Sequence, residues 1–167
     1  VKKILGIVRQ YEEKYGHKIP VVLAGGIRSH EDYVHAMSLG VDGIQVASRF
    51  VPTEECDADI RYKNAYIQAQ EKDIEIVKSP VGMPGRAMHN KLMDRVAGGE
   101  RVPAVKCLNC IHTCNPATTP YCITDALIHA AKGELDEALL FCGGKAYEAD
   151  HIGTVKEVID SYRFFEE

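Results

Sequence analysis

Apolar and polar positions follow two different periods near the start of the chain. Residues 20–24 (PVVLA) form a continuous apolar run, which is typical of a strand buried on both faces. Residues 29–40 then have a helical pattern, with Ser29 as N-cap and Asp32 in the capping-box position. A second strand pattern covers residues 42–46. This order predicts a βαβ unit with parallel strands.

Small residues follow both predicted strands: Gly25 and Gly26 after the first, and Ala47 and Ser48 after the second. Either turn alone is often a bare tight turn. Together they lie at the carboxyl ends of neighbouring parallel strands, where TIM barrels commonly bind phosphate. We therefore predict a phosphate site formed by these four backbone N–H groups, with the Ser48 hydroxyl assisting. Arg49 either faces the phosphate or pairs with a carboxylate.

The rest of the chain is mainly helical by pattern. We divide the whole chain into three parts: residues 1–55 contain the βαβ unit, residues 56–100 a helix and a Gly- and Pro-rich loop, and residues 101–167 a cysteine-rich loop and the C-terminal helices. The predicted helices cover residues 2–15, 57–71, 90–96, 123–131, 134–141 and 154–164, with an extended segment at 74–77 and a Gly- and Pro-rich loop at 79–87.

Four sequence segments carry a family resemblance: AGGI at residues 24–27, GIQVASRF at 43–50, TEEC at 53–56 and SPVGMPGRAMHNKL at 79–92. They resemble the C-terminal half of the nitronate monooxygenase (2-nitropropane dioxygenase) family of flavoproteins, and the related flavin-dependent enoyl-ACP reductases. The resemblance covers most of the chain.

The resemblance implies an α/β fold: the C-terminal part of a TIM (β/α)8 barrel, followed by a mainly helical extension that contains cysteines. It implies that FMN binds with its phosphate after the last two strands. The implied cofactor-binding residues are Ala24, Gly25, Gly26, Gln45, Ala47 and Ser48. The segment 141–147 resembles one that lines the flavin in the family, although Gly143 is equally well explained as a helix C-cap.

The implied activity is oxidation of a small alkyl nitronate by O2 through the flavin. An NAD(P)H-dependent enoyl-ACP reductase and a non-catalytic fragment or cysteine-rich assembly module are the alternatives. Since 167 residues are fewer than the roughly 250 of a whole barrel, we expect the other strands from an N-terminal half or a self-assembled partner. The family's catalytic histidine would lie there, so the catalytic base is unknown. His89, beside the GRA segment, is a further candidate site residue.

Cys107, Cys110, Cys114 and Cys122 form a second feature, with the spacing C-x2-C-x3-C-x7-C. We find no signal peptide and no apolar run of about 20 residues, so we expect no membrane association and a reducing, cytoplasmic environment that disfavours disulfides. Four thiolates suit zinc or an iron–sulfur cluster, although the spacing matches neither common pattern. Disulfides, redox-active thiols and reduced structural cysteines stay open as alternatives.

Composition changes this picture little. Hydrophobic residues make up 46% of the chain and charged residues 26%, as in ordinary globular proteins. The net charge of −4 gives no reason to expect a nucleic-acid partner.

Overall fold

The computed structural model describes residues 1–163, in which helices alternate with short strands. The helices are α1 (Lys2–Tyr15), α2 (His30–Ser38), α3 (Ile60–Gln68), α4 (Lys91–Ala97), α5 (Ile123–Ala131) and α6 (Val155–Asp160). The strands are β1 (Val22–Ala24), β2 (Gly43–Gln45), β3 (Ile74–Lys78) and β4 (Pro84–Met88). Single 3-10 turns lie at Ser48–Phe50, Glu71–Asp73, Leu135–Glu137 and Ala146–Glu148. Within residues 1–163, no helix combines the length and apolar character needed to cross a membrane.

The predicted βαβ unit is present. Strands β1 and β2 are parallel, with Val22 opposite Gly43 and Ala24 opposite Gln45. Helix α2 connects them, and the predicted capping box is confirmed, because Ser29 and Asp32 each accept the other's backbone N–H. The parallel register places the two carboxyl ends side by side, which brings the two small-residue turns together.

The prediction that the first strand is buried on both faces is wrong for this chain. Val22 is 58% exposed, and no residue of β1 is buried. Helix α1 has the predicted bounds, but none of its residues is buried, and Ile4 and Ile7 are 59% and 54% exposed. The described residues thus leave the outer surfaces of α1 and β1 uncovered.

The core lies in the second part of the chain, around an antiparallel hairpin of β3 and β4. The extended segment predicted at 74–77 is confirmed as β3. The loop predicted at 79–87 is wrong in its second half, because residues from Pro84 onward form β4. Proline is tolerated at the first position of a strand, where its missing N–H is least disruptive.

The helix predicted at residues 134–141 is also wrong. After a single 3-10 turn at Leu135–Glu137 the chain is extended and runs along β4, where the Met88 N–H donates to Leu140 O over 3.0 Å. Leu139 and Leu140 are both buried, but they pack into different core clusters. Consecutive side chains on opposite faces are a property of extended backbone, so pairing with β4 overrides the helical pattern.

Other predicted boundaries hold approximately. Helix α3 is shorter than the predicted 57–71. The last helix begins at a capping box formed by Thr154 and Glu157, close to its predicted start. That helix ends at Asp160, and the predicted end at Phe164 lies outside the described residues.

Candidate functional site

A cavity of about 230 Å³ lies at the carboxyl ends of β1 and β2. Three backbone segments line it, at residues 24–28, 45–49 and 143–146. The lining includes all of the residues predicted to bind the cofactor: Ala24, Gly25, Gly26, Gln45, Ala47 and Ser48. The structure brings these residues together, and their role in binding stays a prediction.

The first wall of the cavity depends on two consecutive glycines. Gly25 has φ +91° and Gly26 has φ +74°, a region that L side chains rarely adopt. No atom lies within 4 Å of the position that a Cβ would take at either residue. The requirement for glycine is therefore conformational, and the space beside this backbone is open to a ligand.

The third wall comes from a segment distant in sequence. The Gly143 N–H donates to the Ser48 hydroxyl oxygen over 2.7 Å, which ties residues 143–146 to the turn after β2. Because residues 134–141 are not helical, Gly143 is not a helix C-cap, and the alternative reading of this segment as part of the site is supported. As an acceptor in this bond, the Ser48 hydroxyl keeps its proton for donation to a ligand.

An ionic network surrounds the cavity. Lys145 Nζ lies 2.8 Å from Asp32 Oδ2, and Arg28 Nε lies 3.0 Å from Glu148 Oε2. The ammonium of Lys145 and the backbone N–H groups of Ser29 and Arg28 lower the pKa of the Asp32 carboxyl, while Asp32 raises the pKa of Lys145. Burial, and then nearby Arg49, lower the pKa of Arg28, although a guanidinium stays charged throughout the accessible pH range.

Arg49 lines the cavity, which agrees with the first of the two alternatives that the sequence left open, and its described hydrogen bonds go to uncharged groups instead of a carboxylate. Its Nη1 donates to the Arg28 carbonyl and to the Ser161 hydroxyl, both over 2.7 Å. Its guanidinium also lies 5.2 Å from the centre of the Tyr162 ring. Both hydrogen-bond acceptors are uncharged, so the positive charge of Arg49 adds to the field around the cavity.

This arrangement is suited to a small anion. The small-residue turns after both strands line the cavity, and three cationic side chains line it with them, Arg28, Arg49 and Lys145, whereas none of the lining residues is a carboxylate. Such a combination of backbone donors and surplus positive charge is typical of phosphate sites. The sequence did not predict that Arg28 and Lys145 line the cavity, or that Asp32 pairs with Lys145. For Arg28 alone there was a local signal, because it follows Gly25, Gly26 and Ile27 directly.

His89 lies away from this cavity. Its ring nitrogens are 3.1 Å from Glu75 and 3.1 Å from Asp94, and its side chain is 47% exposed. The hydrogen bond to Glu75 is the main cause that raises the pKa of His89. These contacts describe a surface ion pair, which gives His89 no part in the candidate site.

The four clustered cysteines line a second, larger cavity of about 560 Å³. All of them are free thiols, as are Cys56 and Cys142. Among the described residues, no group of three or more His, Cys, Asp or Glu side chains is arranged to hold a metal ion. The structure therefore brings the four cysteines to one cavity, and binding of zinc or of an iron–sulfur cluster by them stays a prediction.

Comparison with known proteins identifies relatives of the chain. The family model described as nitronate monooxygenase matches residues 4–162. A probable nitronate monooxygenase of Staphylococcus saprophyticus is 35% identical over 78 residues, which are 47% of this chain and 22% of that protein. A probable nitronate monooxygenase of Bacillus subtilis is 32% identical over 76 residues, which are 46% of this chain and 22% of that protein.

Solved structures show the same fold over more of the chain. FabK from Thermotoga maritima superposes with a TM-score of 0.68 and 25% identity, covering 87% of this chain and 43% of that one. A nitroalkane oxidase from Streptomyces ansochromogenes superposes with a TM-score of 0.63 and 19% identity, covering 89% of this chain and 40% of that one. The chain thus spans less than half the length of these proteins. Because the family model matches nearly all of its residues, the chain belongs to the nitronate monooxygenase family.

Proposed function

We propose that this chain forms the phosphate-binding part of an FMN-dependent oxidoreductase that oxidises alkyl nitronates with O2. The cavity at the ends of β1 and β2 carries this proposal, because small-residue turns and cationic side chains converge there. Membership of the nitronate monooxygenase family supports the flavin and the substrate class.

The cavity fits one end of FMN and not the whole molecule. Its volume of about 230 Å³ is below the roughly 300–1,000 Å³ of sites that enclose a drug-sized ligand. The open space beside Gly25 and Gly26 admits a phosphate group to the backbone. We therefore assign the phosphate to this cavity and the ring system to a region that extends beyond it.

The residues of the cavity would share the work of holding the cofactor. The N–H groups of Gly25 and Gly26, with the N–H and hydroxyl of Ser48, donate to phosphate oxygens, and the surrounding positive charge favours the dianion. Gln45 is exposed at the end of β2, where it can contact the more distant part of the cofactor. When bound, the flavin supplies the electron-transfer chemistry, and these residues orient it.

The uncovered surfaces support the proposal that further βα units complete a barrel. Val22 on β1 and Ile4 and Ile7 on α1 are each more than half exposed. Contiguous apolar surface and unpaired strand edges are unfavourable in water, and a closed barrel covers both. We propose that the N-terminal half of the protein, or a second chain, supplies these units together with the catalytic base.

A matched pair of glycine variants tests the phosphate site in protein that contains this chain. Gly25→Ala places a methyl group in the cavity, whereas Gly99→Ala imposes similar strain, at φ +86° with no atom within 4 Å, in a turn outside it. We expect Gly25→Ala to weaken FMN binding at least tenfold in a fluorescence titration, and Gly99→Ala to leave it unchanged. Equal effects of the two variants would contradict the assignment.

The electron donor is tested separately on the flavin-loaded protein. Under anaerobic conditions, we expect an alkyl nitronate to bleach the visible flavin absorbance and NADH or NADPH to leave it unchanged. Bleaching by NADH or NADPH alone would instead favour the enoyl-reductase alternative while leaving the phosphate site intact.

A further inference from the structure

The cysteine cavity is separate from the proposed phosphate site and has no role in it. Cys107, Cys110 and Cys114 lie on one loop, and Cys122 lies at its base, immediately before helix α5. All four line the same cavity of about 560 Å³. A sequence spacing alone does not require such convergence, so the structure adds an independent observation.

The loop that carries the cysteines is long and irregular, and most of its bonds to the rest of the fold lie near its ends. Residues 103–120 contain no helix or strand. The Val102 N–H donates to Pro120 O over 2.7 Å, and Arg101 donates to the carbonyls of Thr119 and Pro116 over 3.2 and 3.0 Å. Long irregular loops in compact domains usually serve a function, and a bound group that crosslinks the loop would compensate for its few internal hydrogen bonds.

Two kinds of metal centre can be held by four thiolates, and they differ in size. A single tetrahedral zinc lies about 2.3 Å from each sulfur, which holds the sulfurs only about 3.8 Å apart. An iron–sulfur cluster distributes its thiolates over more than one iron, so they surround a larger body. The four cysteines are free thiols that line a cavity of about 560 Å³, which has room for the larger of the two.

We propose that Cys107, Cys110, Cys114 and Cys122 bind an iron–sulfur cluster in this cavity. Each thiol loses its proton to solvent as its sulfur bonds to iron, and binding itself involves no change of oxidation state. The Thr124 hydroxyl lies 3.2 Å from Cys110 Sγ, where it can donate to the thiolate. Hydrogen bonds of this kind tune the reduction potential of a cluster.

Apolar side chains form part of the cavity wall. They come from the β3–β4 turn, the loop and helix α5 and line the cavity together with the thiols: Pro80, Val81, Leu108, Ile111 and Ile123. Cys107 and Cys110 are exposed, so a cluster bound there would be open to oxygen on that side, and the test is run without oxygen.

The test uses protein that contains this chain, purified and reconstituted without oxygen from sulfide and a mixture of ferrous and ferric iron, so that the oxidised cluster forms without a further oxidant. We expect bound iron and acid-labile sulfide in similar amounts, a broad visible absorbance apart from that of flavin, and an EPR signal after reduction with dithionite. Bound zinc without iron, intramolecular disulfides in the anaerobic protein, or failure to retain iron and sulfide would each overturn the proposal.

Serine variants then locate the cluster. We expect single replacements of Cys107, Cys110, Cys114 or Cys122 by serine to lower the retained iron at least twofold. Cys56→Ser and Cys142→Ser are matched controls outside the cavity and should retain iron as the unmodified protein does. Circular dichroism identifies variants that fail to fold. Equal iron loss in the control variants, with the fold retained, would refute the assignment of the ligands.

Discussion

Asn90 joins helix α4 to a distant turn, and replacing it should destabilise the core. Its Oδ1 accepts the Met93 N–H over 3.1 Å, which caps the helix. Its Nδ2 donates to Leu135 O over 2.8 Å and to Ala138 O over 2.7 Å. One side chain thus satisfies a helix N-terminus and two carbonyl groups of the segment that continues along β4.

The expected magnitude follows from these bonds. Loss of an N-cap costs about 0.5–2 kcal/mol, and loss of each neutral hydrogen bond about 0.5–1.5 kcal/mol. For one cap and two hydrogen bonds, Asn90→Ala should therefore lower the free energy of unfolding by about 1.5–5 kcal/mol. With a urea m-value of about 2 kcal/mol/M, the unfolding midpoint should fall by about 0.8–2.5 M.

Two further variants separate the contributions. Asn90→Asp keeps an oxygen for the helix cap but lacks the amide donors, so it should lose most of the same stability. Thr154→Ala removes only the cap of α6 and should cost about 1 kcal/mol. If Asn90→Ala is no more destabilising than Thr154→Ala in urea unfolding, the link to Leu135 and Ala138 contributes nothing and the reasoning is wrong.

Two other predictions concern the hairpin and its surface. A Cβ at Gly85 would lie 2.3 Å from Cε1 of Phe141. Gly85→Ala should therefore lower the free energy of unfolding by about 1–3 kcal/mol in urea titrations. Gly43→Ala is the control and should cost less, because its Cβ would have its nearest atom at 3.8 Å. Because Glu75 raises the pKa of His89, this pair should stabilise the fold below pH about 6.5 and lose that effect as the pH rises through the folded-state pKa. Since the pair is exposed, the free energies of unfolding of the unmodified protein and of His89→Gln should differ by less than about 1 kcal/mol at low pH, and the difference should shrink with added salt. No difference at low pH and low salt would show that the contact contributes nothing.

The sequence allowed the βαβ unit to be predicted because its signals are local. The apolar run at residues 20–24, the Ser29 cap and the small residues after each strand all act within a few positions of one another. Parallel pairing of neighbouring strands then brings the two turns to one edge. The residues predicted for the cofactor thus line one cavity without any long-range information being needed.

Contacts between distant residues account for what was not predicted. Residues 138–141 (ALLF) have a helical pattern, but pairing with β4 and burial of both leucines make them extended. The ion pair between Asp32 and Lys145 joins residues more than a hundred positions apart. No periodicity or local spacing records such a contact. The sequence alone therefore did not decide whether residues 141–147 line the site or contain the C-cap of a helix.

The β3–β4 hairpin supports both proposed sites through different strands. On the β4 side, Arg86 O accepts the Cys142 N–H over 3.0 Å, just before the segment that lines the phosphate cavity. On the β3 side, Lys78 O accepts the Tyr121 hydroxyl over 3.4 Å, at the base of the cysteine loop.

This division gives the Gly85→Ala variant a second use. The methyl group would displace Phe141, which lies two positions before Gly143 and so close to the bond from Gly143 to Ser48. The contact of Tyr121 with the hairpin is not displaced directly. Under conditions where the variant remains folded, FMN affinity should therefore fall more than iron content. If FMN affinity and iron content instead fall in proportion, the hairpin unfolds as one unit. Both sites would then depend on the same unfolding equilibrium of the hairpin.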